Sequence, residues 1–257
     1  MTLTFLGTGT SQGVPMIGCP CPVCHSTDPR DNRTRSSVLI QRDGFAVLID
    51  TTPDLRAQAI RENLRRVDAV IITHPHADHI MGFDDLRRFC EMTRRNMPVY
   101  ASRETFVRLH EIFGYAFDEN NKVSGYLHAD AHEINGPFQL GGIEFTPLPL
   151  PHGSLTTLGF LIAQNGEKRA AYLNDCGSVP DDVLRAIEET PVLIIDGLRD
   201  GPHPSHLTIA QAVAVGQRAR AGKTYLIHLT HDKSHVERQK EMPKNCFISY
   251  DGLKLEL

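Results

Sequence analysis

The six residues from His74 to His79 constrain this chain more than any other stretch of its sequence. They read HPHADH and contain three imidazoles and one carboxylate. The apolar run Ala69–Ile72 before them has the composition of a buried strand, and a helical pattern follows from Phe83. The motif is therefore predicted to form a tight loop, where neutral imidazole and carboxylate groups are ligands expected for zinc, manganese or iron(II). A histidine-rich surface loop is the competing interpretation, which the density of ligand types disfavours.

One motif of this length cannot complete the coordination of two ions, so further ligands must come from elsewhere in the chain. Polar residues follow other apolar runs at positions Asp50, Asp175, Asp196 and His228. Loops that extend from a rigid sheet commonly carry function. We therefore expect these strand ends to converge on the loop that carries HPHADH.

The remaining hydrophobic patterns indicate an α/β layered domain. Strands are predicted at Thr2–Leu6, Ser37–Ile40, Phe45–Ile49, Ala69–Ile72, Ile143–Leu148, Leu158–Ala163, Arg169–Leu173, Val192–Asp196 and Thr224–Ile227. Helices are predicted at Leu55–Leu64, Phe83–Met92, Asp181–Glu188 and Thr208–Ala219. No linker or repeat divides residues 1–257, so a single domain is expected. Residues 104–135 have the weakest pattern and are predicted to be an insert or a lid over the site.

The ordered set of motifs resembles the metallo-β-lactamase superfamily. HxHxDH is followed by PLPLPHG, YLNDCG and LIHLTH, and FAVLID precedes it. The resemblance implies a four-layer αββα sandwich and a centre for two divalent metals. It assigns His74, His76 and His152 to one ion and Asp78, His79 and His228 to the other, with Asp175 between them. Asp50 is then expected to orient a ligand through a hydrogen bond.

A dinuclear centre of this kind predicts hydrolysis. Two ions about 3.5–4 Å apart can hold a bridging hydroxide at neutral pH and stabilise charge on a phosphoryl or acyl oxygen. Asp78 is thus expected to be catalytic as well as a ligand. His203 and His206 lie in DGLRDGPHPSHLT, just beyond a predicted strand. A histidine beside the metals could protonate a leaving group. Asp196 is expected to orient a histidine. His203 is expected to contact substrate or solvent.

A second cluster of metal-binding residue types lies near the N-terminus. The sequence GCPCPVC supplies Cys19, Cys21 and Cys24, and three thiolates suit a tetrahedral zinc that needs one more ligand. Free thiols or a redox pair are the alternatives. His25 is the adjacent candidate for the fourth ligand.

The cysteine cluster makes the resemblance more specific, because CxCxxC early in such a chain is similar to the PhnP-type phosphodiesterases. That resemblance implies that His231, in HLTH, completes the structural zinc site, with His25 as the competitor. It also implies that His206, in SHLT, assists catalysis. The predicted cofactors are two zinc or manganese ions, with iron as an alternative, and one structural zinc.

The predicted function is hydrolysis of a small phosphodiester, such as a cyclic nucleotide or a sugar cyclic phosphate. A net charge of −4 argues against a stable nucleic-acid partner. No signal sequence or long apolar run appears, which favours the cytoplasm and no membrane association. A homodimer is expected from resemblance alone. An RNA-processing nuclease, an acyl or thioester hydrolase and a non-catalytic binding protein of the same fold remain the alternatives.

Overall fold

The computed structural model describes residues 1–120, 123 and 125–257, and these residues form two seven-stranded sheets. The first sheet has the order β14-β1-β2-β3-β4-β5-β6. Its strands are β1 (Thr2–Gly7), β2 (Ser37–Arg42), β3 (Phe45–Ile49), β4 (Ala69–Ile71), β5 (Met97–Ala101), β6 (Ala129–Glu133) and β14 (Lys254–Glu256). The β3, β4, β5 and β6 strands are parallel, so their C-terminal ends meet at one edge of the sheet.

The second sheet has the order β13-β12-β11-β10-β9-β8-β7. Its strands are β7 (Phe138–Leu140), β8 (Ile143–His152), β9 (Leu155–Gln164), β10 (Glu167–Leu173), β11 (Val192–Asp196), β12 (Lys223–Ile227) and β13 (Cys246–Ile248). From β10 to β13 the strands are parallel, which again brings their C-terminal ends together.

Seven α-helices are present among the described residues. They are α1 (Leu55–Arg61), α2 (Ala77–Ile80), α3 (Arg87–Thr93), α4 (Arg103–Phe113), α5 (Asp181–Ala186), α6 (Ile209–Arg218) and α7 (His235–Glu241). The Thr208 hydroxyl accepts a hydrogen bond from the Gln211 backbone N–H, and the Gln211 side-chain oxygen accepts one from the Thr208 backbone N–H. This capping box sets where α6 begins. None of the helices in the described ranges has the length and apolar character needed to cross a bilayer.

Three buried clusters hold these elements in four layers. The first contains one face of the first sheet together with apolar residues of α1, α3 and α4. The second joins the facing sides of the two sheets, where Phe5 and Ile49 lie in the same cluster as Phe160 and Ile194. The third packs α5 and α6 on the other face of the second sheet. The predicted αββα sandwich is confirmed by this helix–sheet–sheet–helix order.

The β8 strand extends beyond its predicted end, through the proline-rich sequence PLPLPH. Pro147, Pro149 and Pro151 alternate along the strand, so all three missing N–H groups face the same side. In the described residues, β7 pairs only with Ile143–Phe145, and β9 pairs with Glu144–His152. The prolines therefore occupy an edge where no ladder hydrogen bond is lost, and the strand continues to His152.

Much of the segment 104–135 is built into the first half of the sandwich. The α4 helix contributes Phe106, Leu109 and Phe113 to the first cluster, and β6 extends the first sheet beside β5. Residues 121, 122 and 124 of this segment lie outside the described residues. The segment is thus part of a layer, which the sequence did not predict because polar residues interrupt the apolar positions of its helix and its edge strand is short. A role as a lid stays a prediction.

Candidate metal centre

Three histidines converge where β4 and β8 end. The Nδ1 atom of His76 lies 2.9 Å from Nε2 of His74 and 3.2 Å from Nε2 of His152. His74 and His152 are buried, whereas His76 is exposed. Three imidazole nitrogens that face one another at these distances form one coordination set.

A second set lies beside the first and contains Asp78, His79, Asp175 and His228. Asp175 Oδ2 lies 3.2 Å from His79 Nε2 and 3.7 Å from His74 Nε2, and its Oδ1 lies 3.3 Å from His228 Nε2. The carboxylate therefore reaches both sets, as expected of a group shared between two ions. The structure brings together all seven residues that the sequence assigned to this centre.

The chemistry of these side chains fits a pair of divalent metals. Asp175 Oδ1 and His228 Nε2 are buried without a hydrogen-bond partner among the described residues, and unsatisfied buried polar atoms are costly. Burial lowers the pKa of His74 and the pKa of His152, so both rings are neutral near pH 7. Burial alone would raise the pKa of Asp175, but His228 and His79 hold it well below its usual range. Neutral rings at His74 and His152 and an ionised Asp175 are the forms that bind metal.

Hydrogen bonds away from the centre fix the rings. The Nδ1 atom of His79 donates to Asp50 Oδ2 at 2.7 Å, which leaves its Nε2 lone pair facing Asp175. Asp50 also accepts from the backbone N–H of Thr73 at 2.8 Å and from its hydroxyl at 2.9 Å. The Thr73 hydroxyl lies 3.0 Å from Nδ1 of His74. One buried carboxylate thus supports a histidine in each set.

Three residues of the site have a left-handed backbone. The φ angles are 66° at Asp50, 51° at Asp175 and 62° at His228. Each residue follows a buried strand directly or after one residue, and the conformation turns the chain sharply at the strand end. Non-glycine residues with positive φ are uncommon and cluster at functional sites. Local backbone strain therefore lies at the three strand ends that carry Asp50, Asp175 and His228.

His206 adjoins the metal centre and is held from behind by Asp196. Its Nδ1 donates to Asp196 Oδ2 at 2.7 Å, and its side chain is 10% exposed. The ring stacks on that of His228, with centroids 4.6 Å apart. One nitrogen of His206, together with Asp175 and His152, forms a third group with atoms within 4.8 Å of one another. The structure therefore places His206 where the sequence predicted a residue for acid chemistry.

Two supports of the site were absent from the sequence analysis. The backbone carbonyl of Ser205 accepts a hydrogen bond from His152 Nδ1 at 2.9 Å, which orients Nε2 toward the centre. Thr73 links Asp50 to His74, as described above. The identity of a residue does not show that its backbone carbonyl accepts a hydrogen bond. The hydroxyl of Thr73, directly before HPHADH, could have been predicted as a hydrogen-bond partner of the site.

The predicted cysteine cluster forms with His231. The Nδ1 atom of His231 lies 3.2 Å from Sγ of Cys21 and 3.5 Å from Sγ of Cys19, and Cys24 completes the group. His25 is not part of the group. The hydrogen bond with His231 is the main reason that the pKa of the Cys21 thiol falls to about 6. This geometry joins the N-terminal loop to the segment that carries His228.

We expect the Cys21→Ser substitution to remove one zinc per chain and to destabilise the fold. Loss of a metal site is among the few changes that cost about 3 kcal/mol or more, which is roughly 6–12 °C in Tm for a domain of this size. Elemental analysis and thermal unfolding would measure both effects. His25→Ala is the matched control, and zinc retained by Cys21→Ser or lost from His25→Ala would contradict the assignment.

Comparison with known proteins places this centre in a family. The model of the beta-lactamase superfamily domain matches residues 46–229. An octanoyltransferase of Porphyromonas gingivalis is 37% identical over 99% of this chain, which spans only 51% of that relative. The coenzyme PQQ synthesis protein B of Methylorubrum populi is 25% identical over the full length of both proteins.

Among solved structures, a new diphosphatase from the PhnP family is 40% identical, covers 100% of this chain with 97% of its own, and superposes with a TM-score of 0.91. The fold of these proteins implies binding of divalent metal. The chain therefore belongs to the metallo-β-lactamase superfamily and, within it, to the PhnP family.

Proposed function

We propose that this protein is a dinuclear metal-dependent hydrolase of small phosphodiesters. The observation that carries the proposal is the pair of ligand sets that share Asp175, with His206 beside them. His74, His76 and His152 would hold one ion, and Asp78, His79 and His228 the other. The chemistry that two divalent ions supply in such a site is the activation of water near neutral pH and the neutralisation of phosphoryl charge.

The residues around the proposed ions have separate tasks. His206 Nδ1 donates a hydrogen bond to Asp196, and one nitrogen of the ring lies within 4.8 Å of ligand atoms of Asp175 and His152. A ring held in this way beside the two metal sets can pass a proton to the oxygen of a leaving group. Asp78 Oδ2 lies 3.3 Å from His79 Nε2 and 3.8 Å from His228 Nε2, so it completes the second set and positions the reacting water.

The relatives support phosphoryl chemistry over the alternatives. The diphosphatase of the PhnP family is similar over the whole chain. The octanoyltransferase is named for an activity of a protein about twice as long, so acyl transfer is the weaker candidate. The net charge of −4 gives no support to a stable complex with RNA.

The cysteine cluster with His231 is proposed to hold a structural zinc, because four ligands leave no position for water.

The test is a substrate panel with protein of measured metal content. Zinc- and manganese-loaded samples would be assayed on bis(p-nitrophenyl) phosphate, 2′,3′-cyclic nucleotides, tRNA precursor and an octanoyl thioester. We expect turnover of one or more phosphodiesters, and none of the thioester. Metal-loaded protein that hydrolyses the thioester and no phosphodiester would overturn the proposal.

A further inference from the structure

We propose that a water molecule binds behind the metal centre, among the buried side chains of Asn174, Asp196 and His228, and that through this water Asn174 positions the His228 ring for the metal. The inference rests on the proposed function, because it requires that His228 Nε2 binds an ion. It starts from buried polar atoms that neither the two metal sets nor the acid chemistry uses.

The first observation is a set of three buried polar atoms that have no hydrogen-bond partner among the described residues. They are Asn174 Oδ1, Asp196 Oδ1 and His228 Nδ1, and the three residues are 1%, 0% and 1% exposed. The other oxygen of Asp196, Oδ2, accepts from His206 Nδ1 at 2.7 Å and from the Cys176 backbone N–H at 3.0 Å. A buried polar atom without a partner is costly, so these three atoms require a shared ligand.

The second observation is that the sheet brings the three side chains together. The parallel strands β10 and β11 are in register through Leu173, so Asn174 lies beside Asp196 at the end of the sheet. The next strand, β12, ends directly before His228. An oxygen of Asp196 and a nitrogen of His228 lie within 4.8 Å of each other. Two hydrogen bonds of about 2.8 Å that meet at one water span about 4.5 Å, so a single water can join this pair.

The third observation is the hydrogen-bond character of the three atoms, which selects water over a cation. When Nε2 of His228 binds an ion, Nδ1 carries the proton and can only donate. A cation therefore cannot bind at Nδ1. The Oδ1 atoms of Asn174 and Asp196 can only accept. One donor and two acceptors match a water that accepts once and donates twice, and buried waters typically make about three hydrogen bonds.

This water gives His228 the support that Asp50 gives His79. His79 Nδ1 donates directly to Asp50, which leaves Nε2 facing the metal set. No side chain among the described residues contacts His228 Nδ1 in that way. Asn174 and Asp196 supply the acceptors through the water, and they fix both the tautomer and the direction of the ring. Partners that orient a metal ligand typically contribute 10–100-fold to metal affinity.

The test compares metal-loaded wild type, Asn174→Leu and Asn174→Asp, with Asn245→Leu as the control at an exposed position. Leucine keeps the branched skeleton of asparagine but has no acceptor, whereas aspartate keeps one. Crystal structures of wild type and Asn174→Asp should show a water within about 3.2 Å of His228 Nδ1, and Asn174→Leu should lack it.

Metal affinity provides the second readout. Anomalous scattering from crystals at limiting zinc gives the occupancy of each ion position, and chelator competition gives the affinity. The ion held by Asp78, His79 and His228 should bind about 10–100-fold more weakly in Asn174→Leu, and less than about threefold more weakly in Asn174→Asp. The ion held by the other ligand set, and both ions in Asn245→Leu, should bind as in wild type.

Four results would overturn the inference. A wild-type structure with both ions bound and no water at His228 Nδ1 would reject it, even if Asn174→Leu fails to fold. Equal weakening of both ions in both Asn174 variants would assign Asn174 a general structural role. Wild-type affinity in Asn174→Leu would remove the positioning role. Wild type that binds no ion pair would reject the proposed function as well.

Discussion

The Asp175→Asn substitution is expected to reduce kcat/KM for any phosphodiester substrate by about a thousandfold or more. Changes to groups that merely orient metal ligands typically cost 10–100-fold, and Asp175 lies between both ligand sets, 3.2 Å from His79 Nε2 in one and 3.7 Å from His74 Nε2 in the other. The amide keeps the shape and removes the charge that His228 and His79 surround. Steady-state kinetics with parallel elemental analysis would measure the loss of activity and of bound metal.

Asp182→Asn is the matched control, since it makes the same change at an exposed position of α5. We expect the control to keep wild-type activity and metal. The zinc of the cysteine cluster should remain in both variants, because none of its ligands contacts Asp175. Wild-type turnover by Asp175→Asn with its metals in place would contradict the shared role of this carboxylate.

The His206→Ala substitution should affect substrates according to their leaving groups. General acid catalysis contributes about 10²–10⁴-fold, so hydrolysis of a 2′,3′-cyclic nucleotide, which releases an alkoxide, should slow by that factor. Hydrolysis of bis(p-nitrophenyl) phosphate should slow far less, since p-nitrophenolate leaves without a proton. Metal content should be unchanged, because His206 belongs to neither main ligand set.

A separate comparison distinguishes proton transfer from a loss of structure. His206→Gln fills the space beside Asp196 but cannot deliver a proton, so it should show the same dependence on leaving group as His206→Ala. Rates on the two substrates would be measured for both variants from pH 5 to pH 9. A uniform loss on both substrates, accompanied by metal loss, would assign His206 a supporting role only.

The sequence predicted the centre well because its ligands follow strongly apolar strands. Val192–Asp196 is predicted and observed with the same limits, and Asp50, Asp175 and His228 each follow such a run. Parallel strands end at one edge of a sheet, so residues far apart in sequence meet there. The metal-binding residue types then identified the loops that matter.

What the sequence could not show depends on backbone and tertiary contacts. The strands β6, β7, β13 and β14 are short or lie at or near the ends of the sheets, where hydrophobic alternation is weak. The end of β8 could not be predicted because it contains Pro147, Pro149 and Pro151. Proline is tolerated in a strand where no neighbouring strand needs its N–H, and the sequence does not show which side of a strand lacks a neighbour. The ring of His152 is oriented by the backbone carbonyl of Ser205, and residue type does not reveal such a backbone contact.

Metal stoichiometry tests the central claim most directly. The claim is that seven side chains, with Asp175 shared between the two sets, hold a pair of divalent ions separately from the cysteine site. Wild-type protein loaded with metal and freed of loosely bound ions would be analysed for metal per chain beside Cys21→Ser and Asp175→Asn. We expect two ions per chain that persist in Cys21→Ser and are lost from Asp175→Asn. Wild-type protein that holds zinc only at its cysteines, with no metal sensitive to Asp175→Asn, would contradict it.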